Sequence, residues 1–548
     1  MRRHLPFALL FVACLPSFAQ KTAQPALSET PQTQRAIRAF NAAKSTSPLE
    51  LHAFLARMPK GADLHMHLSG AVYAETFIQD AIADNLCVNP ATLSFTQNVG
   101  TTRSLPPQPV CAEGQVAAAT ALKNQKLYDD LVDSFSMRSF VPTPSFSGHD
   151  QFFATFGHFG GLGDHTGEWL DEVATRAAAQ NEQYLEIMNS FSFGDARKLG
   201  FDFGWPTTPY DPALSPTGDP TGATREELSH LRDQFLASSV FRDNIAQDRK
   251  EVASTIAARN RIEHCGQPTA TPACAVQIRF LGQVLRAFPP QQVFAQTLLY
   301  FELASVDPDV VGINFVQPED AYMAMSENHR QMLMLDYLHS VYPKVHISLH
   351  AGELAPGLVP PGGLRFHIRE AVQLAHAERI GHGVDIMQED DPHALLKEMA
   401  ARHVMVEINL TSNDVILGIL PPDHPLPEYR AAHVPVALST DDEGVSRIDL
   451  THEYTRAALE YNLNYLDLKN MARTSLEHSF LAGPSLWQQT DIFTRTAPAC
   501  ATQPTGAETP NATCLTFLKS SDKATQQWEL EHRFKTFEST LTETTATR

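Results

Sequence analysis

Val345-His346-Ile347-Ser348-Leu349-His350-Ala351-Gly352-Glu353 is an apolar run that ends on a histidine and, three residues later, a carboxylate. It reads as a short buried strand with its chemistry just past the carboxyl end. The arrangement recurs. Asp63-Leu64-His65-Met66-His67, Ile380-Gly381-His382-Gly383 and Ser439-Thr440-Asp441-Asp442 each put histidine or carboxylate at or just after a strand-like run. Further strand candidates lie at 184–188, 310–315, 404–408 and 434–438, and helical stretches such as 326–340 and 392–402 separate most of them. Strands alternating with helices predict a parallel sheet. Reactive residues at successive strand ends predict an α/β fold, a closed (β/α)8 TIM barrel with inserted loops and extra helices, whose site gathers on the carboxyl-end face. The alternative, an open doubly wound sheet, would carry a glycine-rich phosphate turn, and the sequence has none.

The chain has 548 residues, 43% hydrophobic and 19% charged, which is ordinary globular material with ample core. A formal net charge of -20 disfavours nucleic acid and anionic membranes as partners, since both need a basic face. Residues 1–19 read as a signal peptide: Arg2-Arg3, a short apolar run at 5–13, then small residues for cleavage at Ser17-Phe18-Ala19. A secreted or periplasmic protein follows, with a buried N-terminal helix or a lipid anchor at Cys14 as the alternatives. No later stretch is long and apolar enough to span a bilayer.

Residues 20–47 read as a polar linker with a short helix, and the ordered body is expected from Pro48 to the end as one barrel. Irregular insertions are expected near 85–115, 194–275 and 483–520, the second of them loop-like at 194–225 because of its prolines. Beyond Cys14, six cysteines fall in close pairs, Cys87 with Cys111, Cys265 with Cys274 and Cys500 with Cys514. An even number in an exported chain suggests disulfides, although six cysteines allow 15 pairings.

On a strand, residues i and i+2 share a side, so His65 and His67 can meet one ion. His350 can be a third ligand. Asp441 and Asp442 are adjacent and point apart, so one can bind metal while the other faces substrate. Three histidines and one aspartate make a sensible zinc set with a position left for water, whose pKa zinc can bring to about 7. His382, Asp442 and Glu353 remain as acid, base and orienting groups.

In this order the islands resemble the adenosine deaminase family of the metal-dependent amidohydrolases, in particular its secreted growth-factor-like branch. The matching residues are Met58-Pro59-Lys60-Gly61 leading into His65-Met66-His67, then Val311-Gly312-Ile313, His350-Ala351-Gly352-Glu353, Ile380-Gly381-His382-Gly383, Ser412-Asn413 and Ser439-Thr440-Asp441-Asp442, spanning roughly 48–480. The resemblance implies one Zn2+ per chain on His65, His67, His350 and Asp441. It implies that Glu353 protonates purine N1 and that His382 and Asp442 hold the attacking hydroxide. It further implies that Asp442 and the backbone N–H of Gly312 contact the ring, and that Phe152, Phe153 and Phe156 lie on an apolar helix over the base. The expected reaction is hydrolytic deamination of adenosine or 2′-deoxyadenosine to inosine or deoxyinosine and ammonia. A homodimer is implied as well.

Two departures stand out. Many family members place aspartate, touching the ribose 5′-hydroxyl, where this chain has Ser69, and Asn409-Leu410-Thr411-Ser412-Asn413 replaces a Cys-Pro-x-Ser-Asn pattern. The alternatives are a deaminase for another aminopurine, a related amidohydrolase, or a secreted signalling or binding protein with a retained barrel. The absence of lysine from 310–320 favours one metal over a lysine-bridged pair. Pro272-Ala273-Cys274 lacks the second cysteine of the other zinc deaminase architecture.

Overall fold

Eight short, mostly apolar runs form one parallel sheet in chain order. They are β1 (Gly61–His67), β2 (Glu182–Asn189), β3 (Gln277–Leu285), β4 (Val310–Val316), β5 (His346–Ala351), β6 (Arg379–His382), β7 (Met405–Ile408) and β8 (Val436–Leu438). The computed structural model describes residues 30–103, 108–206 and 223–541. The expected leader at 1–19 lies outside the described residues. The two ends of the sheet meet. Met66 of β1 and Asp441, just beyond β8, form a parallel bridge. The Asp441 N–H donates to the His65 carbonyl at 2.9 Å, and the His67 N–H donates to the Asp441 carbonyl at 3.3 Å. The sheet is therefore a closed barrel, as the islands predicted.

Every residue of β1, β6, β7 and β8 is buried, as expected of parallel strands covered on both faces. Helices Pro290–Val306, Tyr322–Val341, Pro392–Arg402, Leu450–Glu460 and Tyr465–Glu477 alternate with or follow the strands. Local signals start them: Asp391 caps Pro392–Arg402 through the Ala394 N–H, and Asn464 with Asp467 makes a reciprocal capping box.

Two boundaries differ from the sequence reading. Helix Pro31–Thr46 belongs to the body, which therefore starts well before Pro48: its Ala36 and Phe40 are fully buried, and Phe40 packs edge-on to Phe54 at 5.8 Å. Its apolar stripe is narrow, so composition alone reads as linker. The span 194–225 is not loop throughout, because Gly194–Phe203 is helical. The prolines begin only at Pro206 and leave the preceding turns free to form. The first insertion holds a small sheet of Cys87–Asn89, Ser94–Thr96 and Val116–Ala117. The last holds the hairpin of Trp487–Gln489 and Ile492–Thr496. The disulfides are the three local pairs, Cys87–Cys111, Cys265–Cys274 and Cys500–Cys514. Among the described residues no helix is long and apolar enough to cross a membrane.

A buried charge ties three strands together. Arg379, fully buried at the start of β6, lies 2.7 Å from Glu186 of β2 and 2.6 Å from Glu407 of β7, with its guanidinium 3.8 Å from the Phe480 ring centre. Removing one partner of such a cluster strands the others without a countercharge. Arg379→Met is expected to cost about 3–5 kcal/mol of stability, read as a lower urea midpoint; an unchanged midpoint would show the cluster to be dispensable.

Candidate active site

The barrel brings His65, His67, His350 and Asp441 to one point. One donor atom from each lies within 4.8 Å of the others, and all four residues are buried. His67 Nε2 is 3.3 Å from His350 Nε2 and 3.3 Å from Asp441 Oδ1, and His65 Nε2 is 3.5 Å from the same oxygen. Each of the three imidazoles is wired alike. His65 Nδ1 meets Glu407 Oε2 at 2.6 Å, His67 Nδ1 meets Gln283 Oε1 at 2.8 Å and His350 Nδ1 meets Asn314 Oδ1 at 2.8 Å. With an oxygen on every Nδ1, that nitrogen donates and Nε2 presents its lone pair to the cluster, which is the metal-binding tautomer. The amides are themselves fixed: Gln283 donates to Ser190 Oγ and Asn314 to Ser348 Oγ. Ser412 donates to Asp441 Oδ2 at 2.7 Å.

The donor set fits a cation. Among the described residues, buried His65 Nε2, His382 Nε2, Glu353 Oε1 and Asp442 Oδ1 have no hydrogen-bond partner, although buried polar atoms normally find one. Burial alone would raise Asp441, but His65 and His67 beside it overcome that and hold its carboxyl well below the usual range. Burial pushes His350 well down, and His65 and His382 add to the fall. Burial opposes charge on His65 too, yet Asp441 and Glu407 together push it up to about 10. The carboxylates thus draw in the positive charge that a bound ion would supply.

Backbone strain concentrates here. His382 and Asp441 adopt φ values of +69° and +60°, a region that side chains seldom occupy. Close approach demands glycine at two points. A Cβ on Gly381 would fall 2.5 Å from the His65 ring, and one on Gly70 would fall 1.3 Å from Asp442 Oδ1.

The cluster forms the floor of a cavity of about 350 Å³. Glu353 and Asp442 line it, with Phe152, Phe153 and Phe156 from helix Gly148–His158 as an apolar wall and Ser69 at another side. His382 lies beneath, its Nε2 3.8 Å from Asp441 Oδ2. Gly312 is the exception. It sits mid-strand in β4, opposite His346 and Leu281, and does not reach the cavity. The strand runs four residues further, and Val316, Gln317 and Pro318 take the lining position, with Gln317 at φ +88°.

Glu353 is held from behind. Glu319 accepts the Gly352 N–H at 3.1 Å and the Glu353 N–H at 2.7 Å, and Arg286 donates to the His350 carbonyl at 3.1 Å. Burial raises the Glu353 carboxyl well above its ordinary range, and Asp441 and Glu319 push the same way. Burial likewise lifts Asp442 to about 7, with His67 opposing the rise and Asp441 adding to it. Sequence reasoning missed Glu407, Asn314, Gln283 and Glu319. The signal for the first three was a polar residue inside an apolar strand.

A sequence model of the adenosine deaminase family matches residues 257–488. Over that segment, less than half of the chain, the protein is similar to the adenosine deaminase family. The segment contains β3 through β8 and so His350, Glu353, His382, Asp441 and Asp442; His65 and His67 of β1 join it only through the barrel. An adenosine deaminase of Clostridium perfringens is 34% identical over 135 residues, 24% of this chain and 37% of that protein. An adenine deaminase of Rhizobium rhizogenes is 33% identical over 137 residues, 25% of this chain and 39% of that protein. The chain thus spans well under half the length of these curated relatives. Among solved structures, Arabidopsis ADAL complexed with IMP has a TM-score of 0.48 and 19% identity, covering 78% of this chain and 93% of that one.

Proposed function

We propose that the chain is a zinc-dependent hydrolase that deaminates adenosine or 2′-deoxyadenosine, giving inosine or deoxyinosine and ammonia. The reading rests on one observation above others: three identically wired histidines and Asp441 converge beneath a cavity that also holds two buried carboxyl groups. His65, His67, His350 and Asp441 would hold the ion. When bound, zinc supplies Lewis acidity that brings the pKa of water to about 7.

The other residues follow from the difficulty of the reaction. An aromatic amine is a poor leaving group, so the ring must gain a proton as water adds to C6. Glu353, protonated by burial and its anionic neighbours, supplies that proton to N1. A bound cation counters the Asp441 contribution, while burial and Glu319 persist. Asp442 accepts one proton of the adding water and passes it to the amine, which departs as ammonia. The remaining hydroxyl proton is released as C6 becomes a carbonyl and, by way of solvent, restores the proton that Glu353 gave. The phenylalanine wall takes the flat face of the base, where apolar burial favours binding.

Among the described residues no lysine or arginine lines the cavity, which disfavours a phosphorylated substrate. Ser69 favours a second reading, a smaller aminopurine such as adenine, because no carboxylate stands there for a ribose hydroxyl. The three disulfides suit the exported setting of the secreted branch. Purified zinc-loaded protein should release ammonia and shift the ultraviolet spectrum of adenosine or 2′-deoxyadenosine, and act poorly on AMP. Full zinc content with no turnover on any aminopurine would overturn the proposal in favour of a binding protein.

A further inference from the structure

His382 is wired in the opposite sense to the three histidines of the cluster. Its Nδ1 faces not an oxygen but two amide nitrogens, Asn413 Nδ2 at 2.9 Å and Asn409 Nδ2 at 3.4 Å. Neither amide is free to turn over. Asn409 Oδ1 accepts the Ser439 hydroxyl at 2.6 Å, and Asn413 Oδ1 lies 3.1 Å from His424 Nε2. The polarity of the second chain is set at its far end. The Leu426 backbone N–H, which can only donate, points at His424 Nδ1 at 3.2 Å. His424 Nδ1 must therefore accept, so its proton sits on Nε2 and goes to Asn413 Oδ1. Asn413 then has only N–H to offer His382 Nδ1, which leaves the His382 proton on Nε2.

We infer that Leu426, His424 and Asn413 form a positioning relay that locks His382 in the Nε2–H tautomer. The inference rests on the deaminase reading for its catalytic meaning, but the wiring stands on geometry alone. All three side chains are buried, so water does not compete for these bonds. Burial also favours the neutral form of His424, with its pKa pushed down to about 4. Glu353 Oε1 lies 3.6 Å from His382 Nδ1, beyond hydrogen-bond reach.

Two consequences follow. His382 cannot join the metal cluster, because its site-facing nitrogen bears a proton rather than a lone pair. Nor can that nitrogen take a proton from water: it donates a hydrogen bond to the oxygen being added to the base. The proton must go to Asp442, whose Oδ1 lacks a partner and which lines the cavity.

Asn413→Asp is nearly isosteric and replaces the donor with an acceptor, which demands Nδ1–H on His382. His424→Leu removes the donor that fixes Asn413, whereas His424→Gln can restore an N–H at nearly the same place. With zinc content unchanged, Asn413→Asp and His424→Leu should lose about 10- to 100-fold in kcat with KM nearly constant, and His424→Gln should recover most of the loss. Nitrogen-15 histidine spectra, with the His382 signal identified by its absence from His382→Gln, should show Nε2–H in the parent and a shift toward Nδ1–H in His424→Leu. A parent spectrum with the proton on Nδ1 would overturn the relay, as would full kcat in His424→Leu. A parent that deaminates no aminopurine yet shows Nε2–H would refute the reaction and uphold the wiring.

Discussion

Glu353→Gln is expected to abolish turnover while the metal stays bound. Glutamine matches glutamate in volume and keeps the backbone N–H that Glu319 accepts, so the loop between β5 and the cavity keeps its place. What disappears is a proton that can be given to the ring nitrogen and recovered. General acid–base groups contribute typically about 10²–10⁴-fold, and the poor leaving group places this one at the upper end. The measurement is kcat by ultraviolet absorbance beside zinc content by atomic emission. Zinc near one equivalent with kcat lowered about a thousandfold or more supports the role; kcat within tenfold of the parent sinks it.

His350→Ala should fail differently, losing zinc and turnover together. Its imidazole Nε2 stands 3.3 Å from that of His67, and its Nδ1 is held on Asn314. Loss of a group behind a ligand typically costs about 10- to 100-fold in metal affinity, and loss of the ligand itself should cost more. Alanine also leaves Asn314 Oδ1 with one donor fewer in a buried place. Dialysed protein should retain little metal, and excess zinc should restore part of the activity. The same excess should do nothing for Glu353→Gln. Stoichiometric zinc in dialysed His350→Ala would remove His350 from the ligand set.

Much of this site was legible because a barrel puts its reactive residues at the ends of short apolar runs. His65, His67, His350 and Asp441 each follow such a run, and the fold needed only to close for them to meet. What was not legible is pairing over distance. Nothing local in Val404-Met405-Val406-Glu407-Ile408 says that its carboxylate holds a ring 342 positions away. Gly312 was carried over from the resemblance alone, and it lies mid-strand in β4, which continues to Val316. Helix Pro31–Thr46 was misjudged because a polar surface hides a single buried row. The donor or acceptor sense of Asn413 is likewise absent from its letter and is set by a backbone N–H in the next loop.

The seam between the first and last strands carries one more implication. His65 and His67 stand on one side of it and Asp441 on the other, almost four hundred residues later. An ion held there would rivet the two lips of the sheet, joining the first strand to the last at the seam where the chain closes on itself.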